Sequence, residues 1–295
     1  YTHMLNSRGG IECDITINRL EETKFLIISS ATTHSRDKNW IERNLLGYNA
    51  TLTDVTSGYT VLSLQGPKSR EILEKVSTAD FSNTSFPFST SQEIELGYAK
   101  VIANRLTYVG ELGWELHIPT EFSQHVFDTI WEAGISQGIN AAGYHALEHL
   151  RCERGYREYE LDLTPEDTPY EAGLGFTVAI DKKIPFNGKE ALLRQREAKP
   201  LKKRLVMFKL KTSEPVLFHE EPIRMNDKIV GYISSGAYSF NMNCSVGMGY
   251  VKHNDGVTKN LINNEKWSIE IATEKYEAEA SLRPFFDPAG KRILM

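Results

Sequence analysis

Cysteine is scarce in the 295-residue sequence: Cys13, Cys152 and Cys244 lie far apart, the total is odd, and there is no CxxC pair. That pattern excludes a disulfide framework and a structural zinc site and fits a reducing compartment. Long apolar runs are missing as well. Stretches such as Phe25-Leu26-Ile27-Ile28 and Leu205-Val206-Met207-Phe208 fall far short of the ~18 residues of a membrane helix, so no membrane partner is expected. Positive charge is not in excess: 34 Lys and Arg against 39 Asp and Glu leave a formal charge of −5. Nucleic-acid binding by a general basic surface is therefore disfavoured. The motifs GxSxG and HExxH and the phosphate-binding P-loop do not occur. Gly9-Gly10, Gly110 with Gly113, and Gly247-Met248-Gly249 do not meet GxGxxG spacing, so any redox cofactor must be bound outside this stretch. The chain opens at Tyr1 with neither a signal-peptide nor a transit-peptide pattern and enters a strand-like alternation by residue 11, which is expected of a fragment whose targeting information is lost.

What is present divides near Pro200. Before it, strands and helices alternate. Ile11, Cys13, Ile15 and Ile17 alternate with Glu12, Asp14 and Thr16, the period of a half-buried strand with the isoleucines toward the core. Further strands are expected over 24–29, 61–64, 93–108 and 114–118, the last two flanking a turn at Gly110–Gly113. Helices are expected over 36–46, 69–76, 121–133 with Thr120 as cap, 142–154 ending at Gly155, and 191–198 after a capping box of Asn187 and Glu190. Beyond Pro200 the pattern is short strands at 204–211, 223–225, 229–234, 246–251, 267–272 and 276–282, with Asn226-Asp227 as a tight hairpin turn. The expected fold class is α+β: a mixed α/β domain over residues 1–200, then a small all-β barrel or sandwich over 201–295.

Two clusters suit chemistry. Asp14 and Thr16 share one side of their strand just after the Gly9-Gly10 turn. If a neighbouring element covers that side, the carboxylate is desolvated and suited to proton abstraction; otherwise both point into solvent. The second cluster runs from Tyr108 to Glu115. A carboxylate accepts a pair of N–H bonds from an amide-like heterocycle and a Tyr ring offers stacking, so the pair suits a pterin or purine edge; a hairpin with an exposed Glu is the plainer alternative. Trp114 alternates with Leu116 and Ile118 and belongs to the core, and Cys13 reads as a small buried apolar residue. His145 and His149 lie one helical turn apart, but no third-ligand motif accompanies them, and no metal is expected. Glu148 and Arg151 have the i,i+3 spacing of a helical ion pair.

Tyr1 with Met4-Leu5-Asn6, Arg8-Gly9-Gly10, Glu12-Cys13-Asp14, Leu64-Gln65-Gly66-Pro67, the Tyr108–Glu115 segment and Glu171-Ala172-Gly173-Leu174 together resemble the tetrahydrofolate-binding aminomethyltransferase family. That family includes the glycine-cleavage aminomethyltransferase and the C-terminal halves of sarcosine and dimethylglycine dehydrogenases. Gly155-Tyr156-Arg157, Asp162 to Asp167, Pro185 to Lys189 and Phe286-Asp287-Pro288 look most like the sarcosine dehydrogenase branch. The resemblance implies that Asp14 is the catalytic carboxylate and that Thr16, Tyr108, Glu115 and Arg151 bind the folate, with Asp14 and Glu115 on one water-poor cavity. It implies tetrahydrofolate as cofactor, FAD in a missing N-terminal half, transfer of a methylene group to give 5,10-methylenetetrahydrofolate and glycine, electron-transfer flavoprotein as acceptor, and a mitochondrial matrix address, or the cytoplasm of a bacterium. Other members the resemblance admits are dimethylglycine dehydrogenase, a free-standing glycine-cleavage aminomethyltransferase, and a non-catalytic regulatory subunit such as that of pyruvate dehydrogenase phosphatase.

Overall fold

The computed structural model describes all 295 residues. They pack as two compact units: residues 1–50 with 152–288, and residues 51–151 with 289–295. This division by packing cuts the chain at other places than the change of architecture near Pro200.

The first unit begins with an antiparallel meander of β1 (Thr2–Leu5), β2 (Ile11–Arg19) and β3 (Phe25–Ser29), followed by α1 (His34–Asn44). The β1–β2 turn is held by Asn6, whose Oδ1 accepts from the N–H groups of Arg8 and Gly10, both at 3.0 Å. A Cβ at position 10 would lie 1.8 Å from the carbonyl oxygen of Pro165, so only glycine lets the turn rest on that segment. Ile11, Cys13 and Ile15 are buried as the alternation requires, but Ile17 is exposed and Asn18 is buried in its place. The reason lies in the pairing. β1 ends opposite Ile15, and from Thr16 onward β2 has only β3 beside it, at the margin of the core.

The second unit contains β4 (Tyr59–Gln65), α2 (Ser69–Val76), β5 (Ser91–Leu96), β6 (Ala99–Asn104), β7 (Gly113–Pro119), α3 (Ser123–Gly134) and the first eight residues of α4 (Tyr144–Glu153). Its strands form one antiparallel sheet in the order β4-β7-β6-β5. Leu64, Trp114, Leu116, Ala103 and Val101 share one face and pack with Leu73 of α2 and Val126 and Ile130 of α3 in a single apolar core. Trp114 is fully buried, with Phe81 edge-on at 5.4 Å between centroids. The single strand expected over 93–108 is instead a hairpin: Gly97, at φ +59°, turns the chain between β5 and β6, and Tyr108 falls in the loop after β6. The expected caps are also displaced. Thr120 sits in a short 3-10 turn and donates to the Ser57 carbonyl, 2.9 Å away, while α3 starts at Ser123.

The first unit resumes with an irregular segment, then α5 (Lys189–Glu197). Gly188 at φ +82° precedes α5, and Asn187 bonds to Asn44 rather than capping it. Six strands, β8 (Lys203–Leu210), β9 (Pro222–Met225), β10 (Lys228–Ser239), β11 (Cys244–Lys252), β12 (Trp267–Ile271) and β13 (Glu274–Ser281), close into a barrel in the order β10-β11-β8-β13-β12-β9, with α6 (Lys259–Asn264) before β12. Asn226 and Asp227, both at positive φ, make the β9–β10 hairpin turn. Val206, Phe208, Ile223, Ile233, Val251 and Ile269 fill the barrel. Leu205, Met207, Val246 and Met248 point outward and pack with Cys152. Glu153, buried, accepts from Ser239 Oγ and Asn241 Nδ2, both at 2.7 Å, and so fastens the end of α4 to the β10–β11 turn.

Trp114→Ala should cost about 3–5 kcal/mol, the range for deleting a large buried aromatic, read as a lower midpoint in urea unfolding followed by circular dichroism.

Candidate functional site

Of the residues expected to carry chemistry, Asp14 and Thr16 belong to the first unit and Tyr108, Glu115 and Arg151 to the second.

In the first unit the side of β2 that bears Glu12, Asp14 and Thr16 is covered, not open to solvent. All three are only partly exposed. Glu12 accepts from Asn6 Nδ2 at 3.0 Å and from Arg36 of α1, whose guanidinium also stacks over the Tyr159 ring. Asp14 faces His3 across the β1–β2 ladder. Its Oδ1 lies 3.1 Å from His3 Nε2, with 17% of the Asp14 side chain and 2% of the His3 side chain exposed. The two atoms are at hydrogen-bond distance but not in hydrogen-bond alignment, so Oδ1 remains a buried oxygen with no donor. His3 Nε2 is also 3.2 Å from the Tyr1 hydroxyl, and Nδ1 is 3.0 Å from Thr177 Oγ1. Arg157, anchored on the carbonyls of Ala172 and Gly155, carries a buried cation nearby. Burial holds its guanidinium below the ordinary value, and Asp162, Tyr1, Tyr250 and Asp14 act against that shift. Cys13 is fully buried, and burial beside Asp37 pushes its thiol far up, which makes it inert as a nucleophile.

In the second unit Glu115 stands in the middle of β7, opposite Ser63 of β4 and Asn104 of β6, on the face away from the apolar core. No protein group donates a hydrogen bond to its carboxylate, and burial raises its pKa above the ordinary value. Gln65, two residues along β4 from Ser63, donates through Nε2 to Ser63 Oγ at 3.1 Å and the Leu106 carbonyl at 3.2 Å. Its Oε1 is buried and unsatisfied, and a Cβ on Gly113 would lie 2.2 Å from it, so glycine there leaves room for the amide. His117, next on the same face, is 3.0 Å from Asn104 Nδ2, and burial lowers its pKa. The loop bearing Tyr108 is shaped by Thr107, whose Oγ1 accepts from the N–H groups of Val109, Gly110 and Glu111 at 2.9–3.2 Å. Arg151 is buried, and its Nε and Nη2 both donate to Glu148 Oε2, at 3.0 and 2.7 Å, the ion pair its helical spacing suggests.

The two carboxylate oxygens of Glu115 and Oε1 of Gln65 thus offer three acceptor oxygens without protein donors on one sheet face. Such oxygens cost free energy unless a ligand rich in N–H groups meets them. The sequence pointed to Glu115 but not to Gln65, Ser63 or His117, although β-alternation from the core residue Trp114 places all of them on one face. His3, Arg157 and Thr177 were likewise passed over.

The description "GCVT N-terminal domain" matches residues 1–182, and "Glycine cleavage T-protein C-terminal barrel domain" matches residues 203–287. The chain belongs to the glycine cleavage T-protein family. The chain is similar to mitochondrial sarcosine dehydrogenase of Mus musculus, 36% identical over 313 residues, which covers 99% of this chain and 34% of the relative. An aminomethyltransferase of Halothermothrix orenii is 36% identical over 253 residues, covering 86% of this chain and 69% of the relative. In fold, the chain matches the crystal structure of the glycine cleavage system aminomethyltransferase T from Bartonella henselae with a TM-score of 0.82, at 24% identity, over 97% of this chain and 75% of that one. The chain spans about a third of the length of the sarcosine dehydrogenase it matches. This T-protein architecture, a mixed α/β region followed by a closed six-stranded barrel, is the expected α+β class.

The raised pKa of Glu115 has a sign that can be tested. A carboxyl group that ionises less readily when folded favours the folded state below its unfolded pKa, and that contribution is lost as pH rises through the folded value. Glu115→Gln should therefore raise the melting temperature at pH 7 by roughly 2 °C, with the difference vanishing near pH 4, as scanning calorimetry at both pH values would show.

Proposed function

We propose that the chain is the tetrahydrofolate-binding portion of a flavin-dependent dehydrogenase of the sarcosine type. The observation that carries the proposal is Glu115, a partly desolvated carboxylate with no protein donor, beside the unsatisfied oxygen of Gln65. A pterin ring presents adjacent N–H groups of the kind those oxygens lack, so the donor set fits the group. When bound, tetrahydrofolate supplies nitrogens that take up a one-carbon unit at the oxidation level of formaldehyde.

The chain's own residues divide the remaining work. Glu115 orients the ring by accepting a pair of N–H bonds, and Gln65 Oε1 adds a third acceptor. Tyr108 contributes an aromatic face from the Thr107-shaped loop. Asp14 holds and releases a proton at Oδ1, the oxygen that no protein donor occupies, with Thr16 beside it on the same side of β2. Arg151 is proposed for the anionic glutamyl tail, which would share its guanidinium with Glu148. For the whole protein, the proposal extends to FAD bound outside these residues, electron-transfer flavoprotein as electron acceptor, and the mitochondrial matrix, or the cytoplasm for a bacterial source. A non-catalytic regulatory subunit on the same scaffold is the competing reading, and folate binding separates the two.

Titrating tetrahydrofolate into the folded chain should give saturable heat, and Glu115→Gln should weaken binding about 10–100-fold, the effect of losing charged hydrogen bonds worth roughly 1.5–3 kcal/mol. No heat from a sample with native circular dichroism would sink the proposal. In the intact protein, Asp14→Asn should leave flavin reduction by sarcosine unchanged and divert the product from methylene-folate to free formaldehyde.

A further inference from the structure

The hydrogen-bond directions around His3 fix where its proton sits. Thr177 has one hydroxyl proton, and it is given to the Leu174 carbonyl at 2.8 Å. Thr177 Oγ1 must therefore accept from His3, so the 3.0 Å contact is an Nδ1–H donating to oxygen. The neutral ring is thereby held in the tautomer whose Nε2 is bare. That bare nitrogen is the atom 3.1 Å from Asp14 Oδ1, and the ring is almost wholly withdrawn from water. Its only other neighbour of consequence is the Tyr1 hydroxyl at 3.2 Å, which donates to it when Nε2 is bare. Asp14 Oδ1 has no aligned donor, so it is open to receive a proton, and a basic nitrogen stands within reach to take that proton onward.

We propose that His3 is the positioning residue of Asp14 and its proton partner. A proton arriving on Oδ1 passes to His3 Nε2: the O–H bond of the carboxyl group breaks, an N–H bond forms, and the outcome is a carboxylate beside an imidazolium. Thr177 serves this by keeping Nδ1 protonated, and the register of the β1–β2 ladder by keeping the two side chains face to face. The 3.1 Å separation without alignment suits a pair that tightens when a ligand fills the site. The charged and titratable groups around the pair are Tyr1, just before β1, and the buried Arg157 cation. The proposal rests on the folate reading for its purpose but not for its first test.

That test uses the chain labelled with 15N-histidine. The His3 signals are those that vanish in His3→Gln. Long-range proton–nitrogen spectra should show Nδ1 protonated and Nε2 bare in both wild type and Asp14→Asn, with the Nε2 signal shifted in Asp14→Asn because its neighbour changes from a carboxylate to an amide. Thr177→Val should allow the other tautomer to appear. An Nε2–H tautomer in the wild type, or an Nε2 signal indifferent to Asp14→Asn, overturns the proposal whether or not folate binds. The second arm uses the intact protein. His3→Leu and His3→Gln should both slow methylene transfer by roughly 10²-fold, with the KM for folate and the rate of flavin reduction unchanged. Glutamine keeps a donor for Thr177 but has no basic nitrogen, so full rescue by His3→Gln would mean a structural role and also overturn it. If the wild type transfers nothing to folate, the functional reading fails, while the nitrogen spectra still decide the pairing.

Discussion

The contact of the β1–β2 turn with the Pro165 carbonyl is the constraint from which the geometry around Asp14 follows. The turn closes so tightly on that oxygen that residue 10 has no space for a side chain. Ile11 N–H donates to the Asp167 carbonyl at 3.0 Å, and Asn6 reaches the Pro165 carbonyl at 3.1 Å, so the hairpin is fixed to the irregular segment at both ends of the turn. With the turn immobile, the ladder sets His3 against Asp14, and the same segment farther on supplies Thr177. Rigidity here serves geometry: a carboxylate kept partly dry beside an imidazole of fixed tautomer is useful only if neither can wander.

The sheet of the second unit shows a different economy. One face carries the apolar core and stabilises the unit through Trp114, Leu116 and the two helices. The other carries Ser63, Gln65, Glu115, Asn104 and His117, several of them buried. Desolvating a carboxylate without a partner opposes folding, and the apolar face offsets it. Such an arrangement persists where a ligand completes it, which is why strain of this kind marks a site more strongly than the identity of any one residue.

Much of this was legible in the sequence, for physical reasons. α2 was read to the residue because Pro67 and the 3.6-residue stripe of Ile72, Leu73 and Val76 leave one reading. The barrel strands were found within a few residues because β-alternation and turn residues recur at short intervals. Glu115 was placed correctly relative to Trp114 because adjacent strand residues face opposite ways. The failures have causes as specific. The apolar positions change phase across Gly97, from Ile94 and Leu96 to Ala99, Val101 and Ala103, and it is this break that separates a hairpin from the one long strand expected. Thr120 and Asn187 are good caps in isolation, but Ser57 and Asn44, distant in sequence, took their side chains. His3 escaped notice because the ladder register shifts between Met4 and Leu5, so simple folding about Gly9-Gly10 does not bring it to Asp14.

The closed barrel has one more implication. Each of its six strands spends its backbone N–H and C=O groups on two neighbours, so the ladder has no open side on which a seventh strand, from another molecule or from a misfolded copy, could add. Sequence drift in that region is then confined to what decorates the cylinder: loops can lengthen and outward side chains can change sign while the ring of strands stays shut.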